Sequence, residues 1–191
     1  MLTQSDRLFK PELVVFAGPN GSGKSTMTVP PWIKGVYINA DDIQREEGID
    51  NLTAARKAEA LRTALLEQHR TFTFETVLST RRNLDLMRRA KDEGYFVRGY
   101  FILTCDPMLN VARVSSRVAD GGHDVPTDKI VSRYHKALKN IPEFVALCDI
   151  CHVYDNTVEA FRICRKHKGS LTLYSNEVWT EAQVRALIFG T

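Results

Sequence analysis

Apolar and polar positions repeat along the chain with two different periods, and the switches between them outline a series of β-α-β units. Residues 12–17 (ELVVFA) are a short run of β-branched and aromatic side chains that predicts a buried strand, followed by a Gly-rich turn and a helix beginning near Lys24. Residues 36–39 predict a second strand. Residues 51–70 place Ala55, Ala58, Leu61, Leu65 and Leu66 at helical spacing, and residues 71–76 then alternate Phe72 and Phe74 with polar neighbours as a third strand. Leu84, Met87 and Ala90 share one face of a helix over 83–93 that stops at Gly94, after which 95–103 returns as a strand.

Asp106-Pro107 starts the next helix, with Asp as cap and Pro at the first helical position; it runs to about Ala119 and ends at Gly121-Gly122. A helix over 127–148, kinked or broken at Pro142, precedes another core strand at 151–154. The tail reads as a hairpin over 161–175 around Lys168-Gly169 and a closing helix over 180–188. The order predicts an α/β fold with a mostly parallel central sheet flanked by helices.

A length of 191 residues predicts a single domain over 1–191. With 43% hydrophobic and 26% charged residues, disordered, collagen-like and fibrous classes are excluded. Lys and Arg exceed Asp and Glu by only 26 to 23, a net +3, too mild a balance to point by itself to nucleic acid. No apolar run approaches the roughly 18 residues of a membrane helix, so no membrane partner is expected. The N-terminal MLTQSDRLFKPE lacks the apolar core of a signal peptide, and the protein is expected to be cytoplasmic with its four cysteines reduced.

The chemistry begins at Gly18-Pro19-Asn20-Gly21-Ser22-Gly23-Lys24-Ser25-Thr26, which satisfies G-x-x-x-x-G-K-[ST] between a predicted strand and a predicted helix. This P-loop pattern supplies converging backbone N–H groups and a helix N-terminus for phosphates, Lys24 for the β and γ phosphates of ATP, and the Ser25 hydroxyl for Mg²⁺. Neither the Asn-Lys-x-Asp of switch GTPases nor the Leu-Ser-Gly-Gly of transporter ATPases occurs, which shifts the balance toward an arginine-rich kinase.

A kinase acting on an alcohol needs a carboxylate to orient the hydroxyl and accept its proton. Asp41 and Asp42 follow the second strand at the sheet edge where open α/β sheets bind ligands; Asp41 is the candidate base and Asp42 the candidate helix cap, the alternative being that both only cap. Glu75 and Thr76 end the third strand at the same edge, and Ser79, Arg81 and Arg82 follow, either as an acceptor pocket or as a polar strand end. Arg113, Arg117 and Arg133 flank Gly121-Gly122-His123-Asp124-Val125-Pro126, the pattern of a glycine-hinged lid over about 107–140, or of a solvated helix face.

With the P-loop, Ile38-Asn39-Ala40-Asp41, Phe74-Glu75-Thr76 and the Arg-flanked 121–126 segment in this order, the chain resembles the zeta-toxin family of P-loop kinases, and most of all its short single-domain branch, over residues 12–156. The resemblance implies a kinase-type P-loop fold with a helical lid and phosphorylation of a hydroxyl of UDP-N-acetylglucosamine, as the toxin of a toxin–antitoxin system. It implies Lys24 and Ser25 on phosphate and Mg²⁺, Asp41 as base, and Asn39, Glu75, Thr76 and Arg81 around the nucleotide-sugar substrate. Arg117 and Arg133 would lie on the ATP phosphates. The chain starts a few residues before the first strand, so an antitoxin would be a separate protein. A polynucleotide 5′-hydroxyl kinase uses the same parts, which keeps nucleic acid open as an acceptor, and a nucleotide-gated binding protein is the non-catalytic alternative.

Cys148-x-x-Cys151-His152 matches a haem-attachment motif, and Cys148, Cys151, Cys164 and His167 match zinc-ligand spacing. The competing expectation is that these thiols act as small buried hydrophobes. Tyr154-Asp155-Asn156 ends the last core strand at the ligand edge, as a nucleotide contact or a turn, and 162–168 is a basic strand and turn open to an antitoxin or nucleic acid.

Overall fold

The computed structural model describes residues 10–119 and 124–190. Among them seven strands form one sheet: β1 (Glu12–Ala17), β2 (Val36–Ile38), β3 (Phe72–Thr76), β4 (Phe96–Leu103), β5 (Ile150–Asp155), β6 (Phe161–His167) and β7 (Ser170–Leu173). Their order is β2-β3-β1-β4-β5-β6-β7; β1 to β5 pair in parallel and β6 and β7 turn antiparallel at one edge. β1 is a continuous apolar run because it is central and parallel, covered on both faces, and Leu13 through Ala17 are fully buried. Its neighbours are β3 on one side and β4 on the other, so the strand order reverses at its C-terminal end, where ligands bind in open α/β sheets.

Among the described residues seven α-helices lie between strands, α1 (Lys24–Met27), α2 (Ala40–Glu47), α3 (Asn51–Glu67), α4 (Arg82–Asp92), α5 (Pro107–Ala119), α6 (Thr127–Lys139) and α7 (Ile141–Leu147), and α8 (Glu181–Phe189) follows β7. The main core lies on one face of the sheet, where Leu13, Val15, Phe72, Phe74 and Phe101 meet Met87, Phe144 and Ile188.

Several expectations are corrected. The helix after the P-loop lasts one turn, because Pro30 and Pro31 follow and form a 3₁₀ turn. α3 buries Ala54, Ala58, Leu65 and Leu66, while Ala55 is exposed and Leu61 is 48% exposed; with apolar residues on more than one side of this helix, periodicity alone does not select its face. Asn39, not Asp42, caps α2: its Oδ1 accepts the Asp41 N–H at 2.9 Å, and Asp42 pairs with Arg45 at 3.0 Å. The segment predicted as one helix over 127–148 is two, separated at Asn140, with Pro142 in the first turn of α7 where no intrahelical N–H is needed.

Asp106 does cap α5, its Oδ1 accepting the Met108 N–H at 2.8 Å, while the Gly121-Gly122 stop and His123 lie outside the described residues. The hairpin turn has Lys168 at φ 50° and Gly169 at φ 79°, the doubly positive pattern of a tight two-residue turn. Cys148, Cys151 and Cys164 are free thiols in the core; burial pushes Cys151 well up and Cys164 to about 11, so those two pack protonated. No group of three or more His, Cys, Asp or Glu among the described residues is arranged to hold a metal. Among those residues no helix is long and apolar enough to cross a membrane.

Candidate active site

The P-loop leaves β1 at Gly18 and turns into α1. Gly21 (φ 76°) and Gly23 (φ 92°) occupy the left-handed region, and a Cβ on either would strike a neighbour: the Asn110 backbone for Gly21, the Asn156 side-chain amide for Gly23. Those two asparagines fasten the loop. Asn110, buried in α5, donates from Nδ2 to the Asn20 carbonyl at 2.8 Å, and its Oδ1 accepts the Thr104 hydroxyl. Asn156, just after β5, donates to the Ser22 carbonyl at 2.8 Å.

The loop's own groups fit a polyphosphate. The Ser22 hydroxyl is buried with no partner, a donor awaiting an acceptor. Lys24 Nζ donates to the Pro19 carbonyl at 3.0 Å, a neutral acceptor that an anionic oxygen outcompetes. Burial lowers the Lys24 pKa from its ordinary value, Glu75 and Asp41 pull it back up, and Arg117 lowers it, so four charged groups act on one another here. Ser25 Oγ lies 3.3 Å from Glu75 Oε2, a hydroxyl and a carboxylate oxygen side by side, the hard donors that suit Mg²⁺.

Glu75 closes β3 with both oxygens engaged: Oε2 accepts from Ser25, and Oε1 accepts the Tyr37 hydroxyl at 2.7 Å. Tyr37 is pushed up by burial and then by Glu75, so it stays a donor. Asn39, besides capping α2, donates to the Tyr37 hydroxyl at 3.2 Å. Asp41 stands exposed in the first turn of α2.

A cavity of about 620 Å³ collects Lys24, Ser25, Asp41, Glu75, Arg117 and Arg133, together with Gly21, Gly23 and Thr26. A second, of about 750 Å³, meets it at Asp41, Glu75 and Arg117 and extends past Tyr37 and Asp42. Arg113 also lines the first cavity and donates to the Thr157 carbonyl at 2.9 Å, which ties α5 to the loop after β5. Between α5 and α6, Val114, Val125 and Ile130 form a small separate core, and Tyr134 donates to the Thr104 carbonyl at 2.6 Å at its base. This hydrophobic joint sets the helices that bear the arginines.

Two predicted acceptor residues have other partners. Arg81 grips Glu143 of α7 through Nη2 at 2.9 and 2.7 Å, with Arg88 on the same carboxylate, and lines neither cavity. Thr76 borders the first cavity, but its hydroxyl accepts the Leu78 N–H at 2.9 Å and the Asn83 amide at 2.7 Å, shaping the turn after β3. Sequence reasoning missed Asn110, Tyr37 and Arg62. For Asn110 a signal existed: it is a polar residue on the face of α5 that buries Val114.

A protein of Haemophilus influenzae known only as an uncharacterized protein is 32% identical over 127 residues, 63% of this chain and 91% of that protein. The chain belongs to its family. No family model matches the chain. Among solved structures, the AvrRxo1-ORF1:AvrRxo1-ORF2 complex, determined with sulphate ions and with ATP, matches at TM-score 0.71 and 16% identity over 97% of this chain, which spans 65% of the matched chain's length. The PezAT chromosomal toxin-antitoxin system of Streptococcus pneumoniae matches at TM-score 0.59 and 20% identity, covering 95% of this chain and 80% of that one. The Pnkp1/Rnl/Hen1 RNA repair complex matches at TM-score 0.52 and 21% identity, covering 71% and 47%. At such identities the likeness is one of fold, a mostly parallel sheet flanked by helices.

Proposed function

We propose that the protein is a cytoplasmic, Mg²⁺- and ATP-dependent kinase that phosphorylates a hydroxyl of a nucleotide sugar such as UDP-N-acetylglucosamine, acting as the toxin of a pair with a separate antitoxin protein. The observation that carries this reading is the shared cavity: the P-loop Lys24, the carboxylates Asp41 and Glu75, and Arg117 and Arg133 all border one space of about 620 Å³, the size of a small-molecule site. The AvrRxo1 complex determined with ATP and the PezAT toxin-antitoxin system lend support through their fold.

In this reading Mg²⁺-ATP supplies the γ-phosphoryl group and the metal's charge neutralisation. Residues 18–26 hold the polyphosphate, with Ser25 as the metal ligand. Asp41 orients the acceptor hydroxyl and takes its proton; Lys24, Arg117 and Arg133 stabilise charge on the transferring oxygens. Glu75, fixed by Tyr37, borders the acceptor beside Asn39 and Thr76. The whole of 1–191 acts as one kinase domain, and the α5–α6 pair acts as the lid over about 107–140, excluding water when it closes.

The test is mass spectrometry of protein incubated with Mg²⁺-ATP and UDP-N-acetylglucosamine. A phosphorylated sugar nucleotide that disappears in Lys24→Ala and Asp41→Asn is the expected result. Product made equally well by both variants would sink the assignment. The RNA repair complex among the fold neighbours favours a second reading, a polynucleotide 5′-hydroxyl kinase, so a 5′-hydroxyl oligonucleotide is the second acceptor to try. Its binding should then weaken steeply with salt.

A further inference from the structure

Helix α3 presents Asn51, Ala55, Ala58 and Arg62 to the first cavity. Their spacing of four, three and four residues puts them on one face. At 1.5 Å rise per residue the stripe runs about 16 Å along the helix. The two alanines keep its middle low. At its far end the Arg62 guanidinium carbon lies 5.0 Å from the centre of the Phe74 ring, a cation–π contact that anchors the side chain.

The Arg62 Nε is buried and has no hydrogen-bond partner, and Arg62 makes no ion pair among the described residues. The acid nearest in sequence, Glu59, accepts a hydrogen bond from Arg82 at 3.0 Å instead. Burial pulls the Arg62 pKa below its ordinary value while Glu59 raises it. Buried guanidinium groups are ordinarily paired, because an unanswered N–H in a low-dielectric setting is costly. The other cations of this cavity come from the P-loop and from α5 and α6, where nucleotide phosphates account for them. Arg62 comes from a different element.

We infer that Arg62 binds an anionic oxygen group of the acceptor, phosphate or carboxylate, at the opposite end of the cavity stripe from the hydroxyl that is phosphorylated, so that the acceptor is an elongated anion and not a neutral sugar. The inference deepens the kinase reading and rests on it for the position of the hydroxyl at Asp41. Arg62 then sets acceptor specificity, since a planar fork held on an aromatic ring takes such a group bidentately.

The test uses full-length protein saturated with Mg²⁺ and a non-hydrolysable ATP analogue, so that the P-loop is filled. Pyrophosphate and succinate are titrated by calorimetry into wild type, Arg62→Gln and Arg62→Lys. The expected result is binding to wild type that weakens about 10- to 100-fold in Arg62→Gln and is partly restored in Arg62→Lys, with the analogue's own affinity unchanged. Which probe binds distinguishes phosphate from carboxylate. Equal binding to wild type and Arg62→Gln, or no binding of either probe to wild type, overturns the inference. A thermal melt of each variant separates misfolding from lost recognition. With UDP-N-acetylglucosamine as substrate, Arg62→Gln raises the acceptor KM by the same factor and leaves the KM for ATP in place. If the nucleotide sugar is never phosphorylated but anion binding still depends on Arg62, the nucleotide-sugar assignment fails and this one stands.

Discussion

The two ends of the candidate site are built differently. On the phosphate side two loop carbonyls are tied by side-chain amides, Asn20 by Asn110 and Ser22 by Asn156, and glycines at 21 and 23 let the Asn110 backbone and the Asn156 amide come close, while the Ser22 hydroxyl is left to meet a ligand. On the acceptor side, Asp41 stands exposed and Arg62 has a buried N–H with nothing to donate to. The contrast teaches where specificity resides. In the proposed kinase reading a polyphosphate is the same in every reaction of this chemistry, so its cradle can be tied in advance by the protein's own asparagines, whereas the acceptor would be met by groups whose partners arrive with it. Catalysis and recognition can therefore be broken separately.

The largest separation is expected from Asp41→Asn, which removes the proposed proton acceptor and leaves the cradle intact. It is expected to lower kcat by about 10² to 10⁴ with ATP affinity unchanged, measured by single-turnover phosphorylation beside nucleotide titration. A parallel loss of ATP binding would mean that Asp41 belongs to the phosphate side. Asn110→Ala strikes the other end. It leaves the Asn20 carbonyl without its partner and the Thr104 hydroxyl with only the Asp106 carbonyl, so unfolding free energy should fall by about 1–3 kcal/mol and nucleotide affinity should drop with it. Denaturant unfolding with and without ATP reads both, and unchanged ATP affinity would show that the cradle holds without this tie.

How much of this was legible follows the same division. The P-loop, β1, the Asp106 cap and the Lys168-Gly169 turn were legible because each is written in a few adjacent residues whose backbone demands are local. Asn110 and Asn156 were not recognised as loop fasteners, since their partners are 90 and 134 residues away in the chain. The Arg81 pair was hidden for a similar reason: its partner Glu143 is 62 residues distant, and an arginine after a strand looks the same whether it meets a substrate or another helix. The cavity face of α3 was hidden by apolar residues elsewhere on that helix, and with it the position of Arg62. Spacing reveals chemistry when the whole unit is contiguous; burial and pairing across the fold are needed for the rest.

A smaller effect sharpens the boundary between the two ends. Tyr37→Phe deletes the hydroxyl that holds Glu75 while Ser25 remains on its other oxygen. Losing one charge-assisted hydrogen bond at a half-buried site should weaken acceptor use by about 3- to 10-fold, read as the acceptor KM against that of ATP. An increase confined to the KM for ATP would place Glu75 with the metal and the phosphates and not with the acceptor.

The smallest expected effect is the most discriminating for the acceptor boundary. Arg81 follows the strand that bears Glu75, but in the fold its fork is spent on Glu143 and it borders neither cavity. Arg81→Ala should leave both KM values within about 2-fold, and because the pair is surface-exposed and Arg88 remains on the same carboxylate, stability should fall by about 1 kcal/mol or less. A large rise in the acceptor KM would mean that the ion pair opens in the working enzyme and that Arg81 swings to the substrate. In that case the acceptor wall extends beyond α3 to the start of α4, and Arg62 shares the anion with a second guanidinium.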